Sequence, residues 1–433
     1  MPFRWDYKEH ASLAWYVLRW VVIAAPVAGL IGSACALFLT ALDRATRLRW
    51  EHPWLLFLLP AAGVAIVLAY RWFGRDADRG NNLIMDEIHS PGAGVPARLA
   101  PLILVATVVT HLFGGSAGRE GTAVQIGGSV AGSIGKHLGF GREDVRKLLM
   151  VGISAGFAGV FGTPLAATVF AMEVLTIGRM NYEAVFPCLV AALVGDAACK
   201  AWGVHHTEYH IALSLPAFRW AVAGKVGLAA VAFGLASVLF AELTHGLGTM
   251  WKRVISVAWA RPVVGGLVVI GLTYALGTRD YLGLGVTSQD PGGVSIVSSF
   301  SAGGATWWSW WWKILFTAVT LSCGFKGGEV TPLFFVGATL GNALSRVLGL
   351  PVDLCAGLGF VAVFAGATNT PLACTLMGVE LFGSGHLAYL AIACFVAYLF
   401  SGHSGVYLSQ RLGDGKGHRG LEEGQLTLRD VRG

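Results

Sequence analysis

Phe157-Ala158-Gly159-Val160-Phe161-Gly162-Thr163-Pro164-Leu165-Ala166-Ala167-Thr168 returns 207 residues later as Phe364-Ala365-Gly366-Ala367-Thr368-Asn369-Thr370-Pro371-Leu372-Ala373-Cys374-Thr375. The register holds as far as Glu173 and Glu380, and nine of these seventeen columns are identical. Chance is a poor explanation, even in sequence rich in Gly and Ala. A second pair of segments keeps nearly the same spacing. At an offset of 209, Glu120 meets Glu329, Thr122 meets Thr331, Gly128 meets Gly337 and Gly132 meets Gly341. Two halves thus carry the same motifs in the same order. Internal duplication with interrupted apolar segments is typical of secondary transporters, whose site lies near the bilayer midplane between the repeats.

Composition around the repeat points the same way. Of the 433 residues, 55% are hydrophobic and 13% are charged, about half the ~25% charge of soluble domains. Mean hydropathy is +0.63. So little charge cannot cover a water-exposed surface, and so much apolar sequence excludes disorder. An all-α polytopic membrane protein remains. Glycine occupies 59 positions, about twice average usage. In a bilayer this serves either close helix packing or helices broken around a ligand. The net charge of +6 falls on no basic stripe, so nucleic acid is not an expected partner. The seven cysteines form no CxxC and read as small buried hydrophobes. With no HExxH or EF-hand loop, no metal or other cofactor is expected.

Trp15–Leu42 and Pro53–Phe73 are long enough to span a bilayer, which takes ~20 residues. Leu99–Phe113, Gly121–Ile134, Leu148–Phe161 and Pro164–Ile177 are shorter and predict tilted or broken helices. The expected organisation is a cytoplasmic N-terminal segment (1–14), a first repeat half (15–215), a second half (216–412) and a polar C-terminal tail (413–433). The run Trp307-Trp308-Ser309-Trp310-Trp311-Trp312 reads as an interfacial belt. Arg44, Arg47 and Arg49 after the first span balance Arg71, Arg75 and Arg79 after the second, so orientation stays open.

Gly114-Gly115-Ser116-Ala117-Gly118-Arg119-Glu120-Gly121-Thr122 opens an apolar helix, as does Gly327-Gly328-Glu329-Val330-Thr331-Pro332. The first amides of a helix lack internal partners and carry its positive dipole end, which makes an anion site without a basic side chain. A carboxylate there, Glu120, competes with the anion for the same donors, and protonation withdraws the competition. One residue could therefore couple proton to anion movement. The bland alternative is a Glu120–Arg119 ion pair. His111, Asp196, Lys200, Lys225, Lys326 and His403 are expected to cap or pair at helix ends.

GREG before an apolar helix, GGxxxP in the second half and the duplication resemble the CLC chloride channels and proton-coupled antiporters, over roughly residues 15–412. The resemblance implies a CLC-type inverted repeat with many tilted and broken helices. It also implies a homodimer with one pore per subunit, multi-pass in the cell inner membrane. Glu120 would be the gate, Val330 and Thr331 would turn backbone amides to the anion, and Tyr407 would be the pore tyrosine. Gly118 and Gly121 flank the gate and complete the expected anion path.

Three departures narrow the resemblance. Thr122 replaces the family's proline, Glu329 stands where an apolar residue is usual, and Asn81 takes the position of the pore serine. These look like the fluoride-exporting branch, whose members exchange fluoride for protons and confer fluoride resistance. Asn81, expected as a helix N-cap, and the Thr331 and Tyr407 hydroxyls would then bind the anion. Glu173 matches a structural glutamate near the dimer interface. Val174 stands where chloride antiporters carry an internal proton glutamate, so Glu329 becomes the expected second carboxylate of proton coupling.

A chloride/proton antiporter or a passive anion channel of the same family is the alternative function. A more distant one is an intramembrane serine hydrolase, with Ser116 in GxSxG or Ser404 as nucleophile. GxSxG needs a strand-to-helix elbow that the sequence does not suggest, and only His418 follows Ser404. A secondary transporter, rather than an enzyme, is expected.

Overall fold

The computed structural model describes residues 7–212, 218–416 and 426–432. Lipid offers the backbone no partners, and the described chain answers with helices. The first half holds α1 (Tyr7–Glu51), α2 (Leu59–Ala69), α3 (Asn81–His89), α4 (Leu99–Leu112), α5 (Glu120–His137), α6 (Arg142–Phe161), α7 (Pro164–Glu173) and α8 (Val185–Ala201). The second holds α9 (Trp220–Val254), α10 (Ala260–Leu276), α11 (Ser309–Ser322), α12 (Val330–Leu348), α13 (Val352–Thr368), α14 (Pro371–Phe382) and α15 (Leu387–Phe400), before a short α16 (Leu428–Arg432). The order α4 to α8 recurs as α11 to α15. The expected boundary between Leu215 and Pro216 lies outside the described residues.

Four segments are long and apolar enough to cross a membrane: Tyr7–Glu51, Pro53–Gly74, Tyr182–Ala201 and Trp220–Val254. Helix α1 has 45 residues, about 65 Å at 1.5 Å per residue, so it must tilt or extend beyond a ~30 Å core. The helix already includes residues 7–14, the described part of the expected N-terminal segment. It corrects one expectation. Arg44, Arg47 and Arg49 are also helical, and Arg49 is buried with Nη1 donating to the His111 carbonyl at 3.0 Å. Arg49 thus satisfies an internal carbonyl instead of marking a loop.

Glycine lets the central helices touch backbone to backbone. A Cβ on Gly127 would stand 2.0 Å from the Gly152 carbonyl oxygen, and one on Gly337 2.0 Å from that of Gly359. The α5–α6 and α12–α13 crossings are therefore the same contact in each half. Residues Leu354 to Thr368 of α13 are buried throughout. Leu18, Val22, Leu30, Leu37, Leu228 and Leu235 on α1 and α9 are exposed, a pattern suited to lipid tails.

The repeated glutamates bind the halves together. Glu173 accepts from the Leu372 and Ala373 amides at 3.1 and 2.8 Å. Glu380 accepts from the Leu165 and Ala166 amides at 3.0 and 2.8 Å. Each carboxylate, at or near the end of α7 or α14, caps the start of the other helix. Both helices open with proline, which leaves these amides as the first free donors. This reciprocity is a local two-fold relation.

The end of the second half and the described part of the tail are tied to the first half. Strand β1 (Thr176–Ile177) pairs in parallel with β2 (Arg411–Leu412). Leu428 returns to bury itself against Ile177 and Leu412. Its amide donates to the Gln410 carbonyl at 3.0 Å, and that of Arg429 to the Leu408 carbonyl at 3.1 Å. Residues 417–425 lie outside the described part.

Candidate functional site

Helices α5 and α12 begin face to face. Their leading loops pair through an antiparallel bridge, with Gly118 N–H donating to Gly328 O at 2.5 Å and Gly328 N–H to Gly118 O at 2.8 Å. Only glycine allows this approach, because a Cβ on Gly328 would lie 2.7 Å from the Gly121 nitrogen. Two positive dipole ends and their unpaired amides thereby converge.

Glu120, the first residue of α5, is 1% exposed. Its carboxylate leaves its own helix and sits on the start of α12. The Thr331 amide donates to Oε2 at 3.0 Å, and the Thr331 hydroxyl lies 2.7 and 2.6 Å from the two oxygens. Arg119 adds a backbone bond at 3.2 Å and a weaker Nε contact at 3.4 Å. The expected contact with Arg119 is present, but the shorter bonds go to Thr331.

The matching positions have diverged. Thr122, the counterpart of Thr331, pairs its hydroxyl with that of Thr107 at 2.8 Å. Glu329, the counterpart of Glu120, is the N-cap residue of α12, and its Oε2 is buried without a hydrogen-bond partner. Val330 is buried at the first position of α12.

Glu329 lines a cavity of about 170 Å³ together with Asn81, Tyr407, Gln125, Tyr70 and Lys326. Asn81 Oδ1 and the Tyr70 hydroxyl are also buried without a partner there. A methyl on Gly121 would lie 3.1 Å from Asn81 Nδ2 and 3.6 Å from Glu329 Oε2, so these groups meet around that glycine. Asn81 is not the N-cap. Gly80 holds that position at φ +54, a conformation that side chains resist, and Asn81 becomes the first helical residue. The cavity adjoins a vestibule of about 660 Å³ containing Arg71, Arg75, Lys252, Arg261 and Lys326.

Across Glu120 lies a narrower space of about 20 Å³ walled by Arg119, His206, Tyr209, Phe161, Phe334 and Phe360. Phe334 and Phe360 stack at 3.9 Å, and Phe161 meets Phe334 edge-on at 5.3 Å. A second cavity of about 150 Å³ shares Arg119 and Thr207 with it. Glu120 lines the aromatic space, while Glu329 lines the polar cavity. Sequence reading missed the phenylalanine wall, Tyr70, Gln125 and Tyr209. Phe161 lies inside the repeated stretch, the one available signal, but apolar residues there read equally well as core.

Most of the residues expected to cap or pair have local partners. His111 contacts the Thr107 and Ala117 carbonyls at 2.8 and 2.9 Å. Lys200 pairs with Asp196 at 2.7 Å, and Lys326 pairs with Asp78. The Ser116 hydroxyl meets that of Thr317 at 2.9 Å, and Ser404 donates to Glu242 at 2.9 Å. Among the described residues no strand leads into Ser116, which follows α4 through a turn, unlike the strand-to-helix elbow that GxSxG needs. His418 lies outside the described residues.

Comparison with known proteins agrees with this geometry. Residues 62–402 match the family described as voltage gated chloride channel. A chloride/fluoride channel protein of Pseudomonas syringae pv. tomato is 51% identical over 431 residues, covering 98% of this chain and 93% of the relative. The voltage-gated ClC-type chloride channel ClcB of Salmonella typhi is 27% identical over 411 residues, covering 90% of each. The solved structure of a CLC-type fluoride/proton antiporter aligns at TM-score 0.87 and 32% identity, covering 95% of this chain and 100% of that one. A slow cyanobacterial Cl⁻/H⁺ antiporter aligns at TM-score 0.76 and 18% identity, covering 88% and 94%, and shares the fold. The chain belongs to the CLC family of voltage gated chloride channels, whose members include both channels and antiporters.

Proposed function

We propose that this chain is a proton-coupled fluoride antiporter, acting as a homodimer in the cell inner membrane and exporting cytoplasmic fluoride against incoming protons. One observation carries the reading. The Glu120 carboxylate occupies the Thr331 amide and hydroxyl, donors that an anion would need. Proton uptake removes the charge that holds Glu120 there and frees the site, so anion entry and protonation become one event. Fluoride is small and strongly hydrated, and it calls for short charge-assisted donors. Thr331, Asn81, Tyr407 and the α12 amides, with that of Val330 among them, supply such donors. Gly118 and Gly121 let the two helix ends approach. Glu329, unpartnered on the cavity side, takes the second carboxylate role in proton transfer. The 51% identity to a chloride/fluoride channel protein and the 32% identity to a fluoride/proton antiporter support this assignment.

The test is reconstitution into liposomes with fluoride, chloride and proton fluxes recorded together. We expect a fluoride gradient to pump protons, with chloride moving far more slowly. Equal chloride and fluoride rates would support a chloride/proton antiporter instead. Fluoride flux that never moves protons uphill would support a passive channel. Full proton coupling retained in Glu329→Gln would remove that residue from the proton route.

A further inference from the structure

The repeat has one asymmetry that its backbone does not require. Helix α6 ends on Gly162 in the left-handed region, φ 71, and α13 ends on Asn369 in the same conformation, φ 57. Glycine adopts this geometry freely and asparagine less so. Apart from Arg75, Asn369 is the only non-glycine with positive φ among the described residues. The second half therefore retains a side chain where glycine would suit the turn better.

That side chain is fully engaged. Asn369 Nδ2 donates to the Ser404 carbonyl at 3.2 Å and to Gln410 Oε1 at 2.9 Å. Its Oδ1 accepts from Lys416, whose ammonium also donates to Tyr398 O at 2.7 Å and Ser401 Oγ at 2.8 Å. Gln410 is completely buried, and its Nε2 donates to Val174 O and Thr368 O at 2.9 and 2.8 Å. Those carbonyls close α7 and α13, one from each half. Asn369 and Gln410 thus grip the two ends of the stretch 404–410, and Tyr407 lies near its middle. Two further bonds tie the stretch down. Val406 N–H donates to Ala367 O at 2.9 Å, and Ser409 N–H to Asn82 Oδ1 at 2.9 Å. Asn82 is the neighbour of Asn81, so the Tyr407 and Asn81 segments are fixed to each other.

We propose that Asn369, Gln410 and Lys416 are positioning residues that hold Tyr407 in the cavity wall and thereby set anion discrimination. The proposal rests on the anion-binding role given to Tyr407 above. A saturated buried amide network keeps one geometry, because each partner lost leaves another polar group unpaired.

Asn369→Gly is the direct test, because it preserves the left-handed turn and deletes only the side chain. The variant should elute on size exclusion like the parent. Its fluoride-over-chloride rate ratio in liposomes should fall about fivefold, the scale of one lost hydrogen bond. In a Tyr407→Phe background the same change should have no further effect on the ratio. Lys416→Met should move the ratio in the same direction by less, and it replaces Asn369→Gly if that variant is not monodisperse. An unchanged ratio in Asn369→Gly alongside an altered Tyr407→Phe overturns the clamp alone, as would effects that add in full. A Tyr407→Phe protein that transports like the parent overturns the Tyr407 role and the clamp with it.

Discussion

Glu120 and Glu329 occupy equivalent positions in the two halves yet meet opposite surroundings. Glu120 is held by Thr331 and Arg119, while Glu329 Oε2 faces a cavity unpaired. Glu120→Gln should keep the Thr331 and Arg119 amide bonds on its remaining oxygen, lose the weak Arg119 Nε contact and lose the negative charge. Fluoride should then cross without pumping protons, which simultaneous fluoride-electrode and pH recording would show. Uphill proton movement by this variant would contradict the gate role. Thr331→Val removes the hydroxyl donor and spares the amide. A hydrogen bond to a charged group contributes about 1.5–3 kcal/mol, so fluoride binding by calorimetry should weaken at least about tenfold. Glu120 and Glu329 were legible in the sequence because carboxylates are rare in its apolar runs, and Thr331 because it lies in the second Gly-rich motif. The partnership of Glu120 with Thr331 was not, since the Glu120 carboxylate reaches the other half, 211 residues away. Linear motifs place a side chain on its own helix and say nothing of the helix it faces.

Helix ends carry the next level of organisation. The repeat announced α7 and α14 through the shared Thr-Pro-Leu-Ala, and both helices start at that proline. It did not announce that Glu173 would cap α14 and Glu380 would cap α7. Each carboxylate accepts two backbone amides from the opposite half. Glu173→Gln and Glu380→Gln should therefore destabilise the protein by similar amounts, about 1–3 kcal/mol each. Thermal unfolding in detergent would measure this. A large loss for one and none for the other would mean that the two caps are not equivalent. Asn81 shows the opposite error. Asparagine favours N-caps, but Gly80 accepts φ +54 at no steric cost and takes that position. The Asn81 amide is left beside Gly121 and the cavity. The glycine excess had two readings, and both occur, with α5–α6 and α12–α13 in backbone contact and broken helix ends meeting at Gly118 and Gly328.

At the scale of the whole molecule, charge is scarce, and its placement matters more than its total. The vestibule beside the Glu329 cavity gathers Arg71, Arg75, Lys252, Arg261 and Lys326 against Asp78 and Glu329. Composition gave a net charge of +6 and similar arginine clusters after the first two apolar runs, which left no preferred side. Burial of Arg49 inside the protein and convergence of α2, α9 and α11 residues on one opening create the asymmetry. A cleft with an excess of one charge and low-dielectric walls concentrates counter-ions and raises their rate of entry. Exposed Lys252 lies on the rim and touches none of the anion donors, so its charge should act on entry alone. Lys252→Glu should slow fluoride entry from the vestibule side at 10 mM ionic strength, taken as about a 30 Å Debye length. The difference should largely vanish at 1 M, where screening falls to about 3 Å. Initial fluoride rates in liposomes, at both ionic strengths and with saturating proton supply, read this directly. A deficit that persists at high salt would mean that Lys252 acts by local packing, and the field of the vestibule would then have no part in transport.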